Sequence, residues 1–148
     1  MGFLIDTCIW IDVERGALAP ADVASVTGDE PVYLSPVTIA ELKYGAESAK
    51  TSDLRQKRLA ALARFKKKPL LVIDETTGEL FGDIAAQIRK NGSQHHYRVQ
   101  DLWLASQAIQ HGYRFLTHNR KDFVDIPGLV LVVWEDAVTK IKKGENPP

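Results

Sequence analysis

Short apolar runs, each broken off by a polar or capping residue, recur along the chain. "GFLI" (2–5) stops abruptly at Asp6 and Thr7 and reads as a buried strand. Thr7 then caps a helix over "CIWIDVER", which Gly16 stops, and a second short helix starts at Pro20. "VYLS" (32–35) reads as the next strand. Behind it Ser35 caps, and Pro36 opens, the helix "PVTIAELKYGAESA". A helix from Ser52 to about Lys66 ends in "KKKP", and "LLVI" (70–73) reads as a third strand. Asp74 caps "ETTGELFGDIAAQIRKN", closed by Gly92. A polar connector, "SQHHYRV", leads to the helix "QDLWLASQAIQH", closed by Gly112. "RFLT" (114–117), a turn "HNRKDF", a fifth strand "LVLVV" (129–133) and a helix from about Glu135 complete the pattern.

Apolar strands alternating with helices specify an α/β protein, a three-layer α/β/α sandwich around a mostly parallel five-stranded sheet. One domain over 1–143 is expected, with 144–148 as a disordered tail. In such a sheet ligands bind outside the carboxyl ends of the strands. Acids fall where those ends gather. Asp6 follows the first strand. Glu41 lies on the helix after the second, on a stripe with Val37, Ala40, Tyr44 and Gly45. Asp101 opens the stripe of Leu104, Ala105 and Ala108, and Asn119 and Asp122 lie just past the fourth strand. Taken singly, each acid also reads as a turn former, an exposed helix residue or a helix-start charge. Their coincidence at strand ends is what those separate readings leave unexplained.

Two unit charges about 4 Å apart repel by roughly 4 kcal/mol at an effective dielectric near 20. Converging carboxylates therefore take up protons or gather round a cation. Oxygen ligands without Cys/His spacing favour Mg²⁺ or Mn²⁺ over zinc, and a hydrated ion of that kind suits phosphodiester hydrolysis.

Composition changes this picture little. Nineteen basic and nineteen acidic side chains cancel, so a polyanion must be met by a local patch, a metal or another chain. Lys66 to Lys68 read as a helix C-terminal complement before an RNA contact. The single cysteine, Cys8, excludes an intrachain disulfide and reads as a small buried apolar residue. No signal peptide or membrane span is evident, which sets the expectation of a cytoplasmic protein with no membrane partner.

"LIDTCIWI" (4–11), "LSPVTIAELKYGAE" (34–47), "DLWLASQAIQHG" (101–112) and "FLTHNRKDF" (115–123), in that order, resemble PIN-domain nucleases, specifically VapC toxins of type II VapBC toxin–antitoxin pairs. The resemblance implies a Mg²⁺-dependent, with Mn²⁺ as substitute, endoribonuclease that cuts RNA, often at one tRNA or rRNA site. It implies that Asp6, Glu41 and Asp101 bind the metal. The fourth acid of the family stands either where Asn119 or where Asp122 stands. Here Asp122 is the candidate fourth catalytic carboxylate, with Asn119, Thr7 and Thr117 in support. A cognate VapB antitoxin, a homodimer, and promoter DNA bound only through the antitoxin are also implied. The chain departs from the Gly/Pro-rich stretch that many VapC sequences carry before the third acid, having "NGSQHHYRVQD" instead. His95 and His96 read first as solvated loop residues, and Arg98 equally as a phosphate contact or a surface residue.

Two other readings compete. A phosphatase of the haloacid dehalogenase type needs a second acid two residues after the first, and position 8 is Cys. A non-catalytic nuclease-fold interaction module, or a promoter-binding partner in an antitoxin complex, is disfavoured by the intact acids.

Overall fold

A computed structural model describes residues 1–92 and 98–146. Four parallel strands form the sheet, in the order β2-β1-β3-β4: β1 (Phe3–Ile5), β2 (Val32–Tyr33), β3 (Arg114–Thr117) and β4 (Val130–Val133). Eight helices surround it among the described residues: α1 (Thr7–Glu14), α2 (Pro20–Thr27), α3 (Pro36–Glu47), α4 (Ser52–Phe65), α5 (Glu75–Lys90), α6 (Val99–His111), α7 (Arg120–Phe123) and α8 (Trp134–Lys142).

Alternation along the strands builds two cores, because successive side chains of a strand point to opposite faces. Phe3, Ile5, Leu116 and Val132 pack with Ile9, Trp10, Val26, Leu62, Phe65 and Trp134, which places α1, α2, α4 and α8 on one face. Leu4 and Phe115 pack with Ile84, Ile88, Leu102, Ala105 and Phe123, which places α5, α6 and α7 on the other. The three layers expected from the sequence are thus present. Gly112 ends α6 in the left-handed region at φ 68°, where a side chain would be strained, and lets the chain enter β3 within two residues.

The expected third strand, "LLVI" at 70–73, does not form, and the sheet has four strands instead of five. Only Leu70 bridges Leu34, through bonds of 2.9 Å from Leu34 N–H to the Pro69 carbonyl and from Leu71 N–H to the Leu34 carbonyl. The ladder's next rung would need an N–H at position 36, and Pro36, which opens α3, has none; the carbonyls of the segment turn instead to Gln107, fully buried in α6. Its Nε2 donates to the Leu71 carbonyl at 2.8 Å and the Val72 carbonyl at 3.3 Å, while its Oε1 accepts from the Ser35 hydroxyl. The segment's acceptors thus meet a side chain where no strand can follow.

Smaller differences follow the same logic of competing partners. Asp6, rather than Thr7, caps α1, accepting from the Thr7 N–H at 2.8 Å. The turn "HNRKDF" contains the one-turn helix α7, and α8 starts at Trp134. Gly144 and Glu145 close α8 with N–H bonds to the Ile141 and Lys140 carbonyls. Pro147 and Pro148 of the expected disordered tail lie outside the described residues.

Gln107→Ala is expected to lower stability by about 2–4 kcal/mol, from two carbonyls left unpaired and the space left behind. Urea unfolding would show it as a reduced midpoint, and an unchanged midpoint would contradict the role of Gln107 in holding this segment.

Candidate active site

Because all strands run parallel, their carboxyl ends share one edge of the sheet, and the acids collect there. Asp6 follows β1 directly and is only 5% exposed. A buried carboxylate needs donors, and three surround it. Thr117, the last residue of β3, donates its hydroxyl to Oδ2 at 2.7 Å. The Thr7 N–H serves Oδ1, and the Cys8 Sγ lies 3.4 Å from Oδ2. Burial nevertheless raises the proton affinity of Asp6 above that of an ordinary carboxylate, and the charge of Asp122 adds to the rise.

With Asp6 as the cap, the Thr7 hydroxyl is free to act elsewhere. It bonds Thr38 Oγ1 at 2.9 Å and donates to Glu41 Oε1 at 3.1 Å, tying α1 to α3. Thr38, fully buried one turn before Glu41, is a site residue that the sequence reading missed; its hydroxyl on an otherwise apolar face was the available signal. The core face of α3 is Thr38, Leu42 and Ala46 rather than the expected stripe, since Tyr44 is 75% exposed. Glu41 sits at the margin of that face, half-buried, and burial and the charge of Asp6 raise its proton affinity.

Asp101 lies in the first turn of α6, ahead of buried Leu104, Ala105 and Ala108 as expected. Burial, then the charges of Asp6 and Asp122, and last that of Glu41, push its pKa up to about 6, against a partial offset from Arg98. Asp122, in α7, acts on both Asp6 and Asp101 through its charge. The four acids thus occupy one electrostatic neighbourhood drawn from the β1 end, α3, α6 and α7. Among the described residues no three His, Cys, Asp or Glu side chains form a group that could hold a metal ion.

Asn119 contributes through its backbone, whose N–H donates to Thr117 Oγ1 at 3.0 Å. Next to it, His118 bridges Asp12 of α1 through Nε2 and Glu135 of α8 through Nδ1, each at 2.7 Å, and so holds the segment carrying Thr117 and Asn119 from both sides. Nothing in the sequence pattern linked those three positions. Cys8 departs from the expected buried apolar role: its thiol is half-buried beside Asp6 and 3.8 Å from Thr117 Oγ1. Burial and the Asp6 charge push its pKa up to about 12, which keeps it a neutral thiol. His95 and His96 lie outside the described residues.

A family model for the PIN domain matches residues 3–129, and the chain belongs to that family. Its relatives narrow the class to the VapC ribonucleases. Ribonuclease VapC1 of Rickettsia felis is 32% identical over 134 residues, covering 87% of this chain and 93% of that protein. Two solved structures share the fold. A DNA-bound VapBC from Salmonella typhimurium superposes with a TM-score of 0.77 at 24% identity, covering 90% of this chain and 98% of that one. VapBC-5 of Mycobacterium tuberculosis, a member of a toxin–antitoxin family, superposes with a TM-score of 0.70 at 26% identity, covering 89% and 96%.

The raised pKa of Asp101 has a signed consequence. Between pH about 4 and about 6 the folded chain holds a proton on Asp101 that the unfolded chain has released. Stability of the protein in EDTA therefore falls as pH rises through that window, and the penalty is complete above it. Asp101→Asn is expected to melt at higher temperature than the parent at pH 7.5, with the gap closing by pH 4. Thermal unfolding in EDTA at stepped pH checks this, and a gap independent of pH would contradict it.

Proposed function

We propose that this chain is a divalent-cation-dependent endoribonuclease toxin of the VapC type, acting on a tRNA or rRNA site. The observation that carries the reading is the shared neighbourhood of Asp6, Glu41, Asp101 and Asp122 at the carboxyl edge of a parallel sheet. The donor set is all hard oxygen, which suits Mg²⁺ or Mn²⁺, and Asp6, Glu41 and Asp101 are the residues that would hold the ion. These carboxylates do not form a ready group of three, which accords with an ion that keeps several waters and meets its protein ligands partly through them. When bound, such a cation polarises a phosphodiester oxygen and lowers the pKa of a water that attacks phosphorus.

The chain's own residues supply placement and charge. Thr117 and the Thr7 N–H fix the Asp6 carboxylate, so its orientation does not depend on the substrate. Thr7 holds Glu41 against α1 in the same way. Asp122, whose charge reaches both Asp6 and Asp101, is the carboxylate left to orient a water beside the scissile phosphate and accept its proton. Asn119 follows Thr117 in the same turn and supports it by a backbone bond.

A VapB-type antitoxin is proposed as the inhibiting partner, with promoter DNA reached only through it, as the solved VapBC complexes suggest for this chain by similarity. An apolar groove of about 340 Å³, lined by Trp10, Val13, Val23, Val32 and Phe65 and edged by Arg64 and Lys68, offers such a segment a seat. A homodimer is proposed as well, supported by exposed apolar surface at Tyr44, Leu70 and Val72. No described helix is long and apolar enough to cross a membrane, and the cytoplasm is the proposed location.

Purified protein freed of antitoxin is expected to cleave total RNA with Mg²⁺ and to stop in EDTA. Asp6→Ala is expected to lose at least about a hundredfold of the rate, and cleavage undiminished in that variant would overturn the nuclease reading. Val23→Glu, which puts a charge into the groove, is expected to weaken binding of the cognate antitoxin by about tenfold or more in a titration. Unchanged affinity would move the antitoxin to another surface.

A further inference from the structure

Arg98 takes no part in the chemistry proposed above, yet its charge acts on both Asp101 and Asp122. It immediately precedes α6, and its carbonyl accepts the Leu102 N–H at 2.9 Å, so its backbone starts the helix that carries Asp101. Its side chain, 17% exposed, reaches across to the segment around α7. There Nη1 and Nη2 each meet an oxygen of the Asp125 carboxylate at 2.8 Å, and Nη2 also donates to the main-chain carbonyl of Asp122. Paired parallel bonds of this kind match a planar guanidinium to a carboxylate and are not available to an ammonium.

The segment so gripped needs an outside hold. Four residues of helix cannot sustain themselves, since one turn fixes several dihedral angles for one hydrogen bond. Phe123 anchors α7 to the core beneath it. Ile126 is buried beside it and Arg120 pairs with Asp136 of α8, while the Arg98 bonds supply a polar tie between this turn and the start of α6.

We propose that Arg98 is a positioning residue: by pairing with Asp125 and the Asp122 carbonyl it latches the α7 turn to the start of α6, so that Asp101 and Asp122 face the same divalent cation. The inference rests on the cation-dependent nuclease reading, and it deepens it by assigning the residue that assembles two of the four acids. The competing role for Arg98 is a direct contact to an RNA phosphate. Both terminal nitrogens are already engaged by Asp125, which favours the latch.

Asp125 separates the two roles, because removing it leaves the guanidinium present with the Asp122 carbonyl as its remaining named partner. Mn²⁺ binding to the antitoxin-free full chain is measured by calorimetry for the parent, Arg98→Ala, Asp125→Ala, the double variant and Arg98→Lys. Cleavage is measured alongside as kcat and KM for RNA over a Mg²⁺ series. Each single substitution is expected to weaken Mn²⁺ binding roughly tenfold, as loss of a partner behind a metal ligand commonly does. The double variant is expected to be no worse than either single one, Arg98→Lys not to restore binding, and KM for RNA at saturating Mg²⁺ to stay unchanged. Should an alanine variant fail to fold, as judged by circular dichroism, Arg98→Gln and Asp125→Asn replace it in the same comparison.

Parental Mn²⁺ affinity in both single variants would overturn the latch. So would a KM raised by Arg98→Ala but not by Asp125→Ala, the mark of a phosphate contact. A parent that binds Mn²⁺, with the expected losses in the variants, but cleaves no RNA would uphold the latch and defeat the nuclease reading. A parent that binds no Mn²⁺ would overturn the latch itself.

Discussion

A carboxylate buried at the end of the central strand is the constraint around which this molecule is arranged. Asp6 is held by a hydroxyl from β3 and an N–H from its own helix start, and the first of these depends on the parallel pairing of β1 with β3. Sheet register and site geometry are therefore one requirement. A one-residue slip of β3 would carry the Thr117 hydroxyl to the opposite face. The hydroxyls of Thr7, Thr38 and Thr117 form a lining between acid and core, supplying hydrogen bonds without adding charge to a place that already has too much of one sign.

Much of the architecture was legible because the elements that carry it obey local rules. β1, β3 and β4 are short apolar runs with clear breaks, α3 opens with a Ser cap and a Pro, and α6 ends in a left-handed Gly. The segment at 70–73 obeyed the same rules and still failed to become a strand. Its partner strand gives way to a helix at Pro36, which has no N–H to offer, and its carbonyls are taken by Gln107, thirty-odd positions downstream; neither can be read from the segment alone. The Asp6 and Thr7 capping roles were exchanged for a similar reason: both residues can cap, and only the placement of Thr38 and Glu41 shows which hydroxyl is wanted elsewhere.

The site was legible to the extent that it is made of acids at strand ends. Asp6, Glu41, Asp101 and Asp122 were singled out by position, and the structure places them in one electrostatic neighbourhood. What surrounds them was not visible. Cys8 reads as a small apolar residue in any helix pattern, yet its thiol borders Asp6. His118 and Arg98 act through Asp12, Glu135 and Asp125, partners from 17 to 106 residues away in sequence, and pairings of that range leave no periodic trace.

The unformed strand has a bearing on solubility. β2 is two residues long, and the segment beside it exposes Leu70, Val72 and Ile73, the side chains of a sticky sheet margin. An incoming β-strand from another molecule needs carbonyls to accept its N–H groups. At Leu71 and Val72 those carbonyls point inward to Gln107. The margin is thus apolar in its side chains and closed in its backbone, which lets it be covered by a flat protein surface while denying a template to the edge-to-edge stacking that begins fibrils.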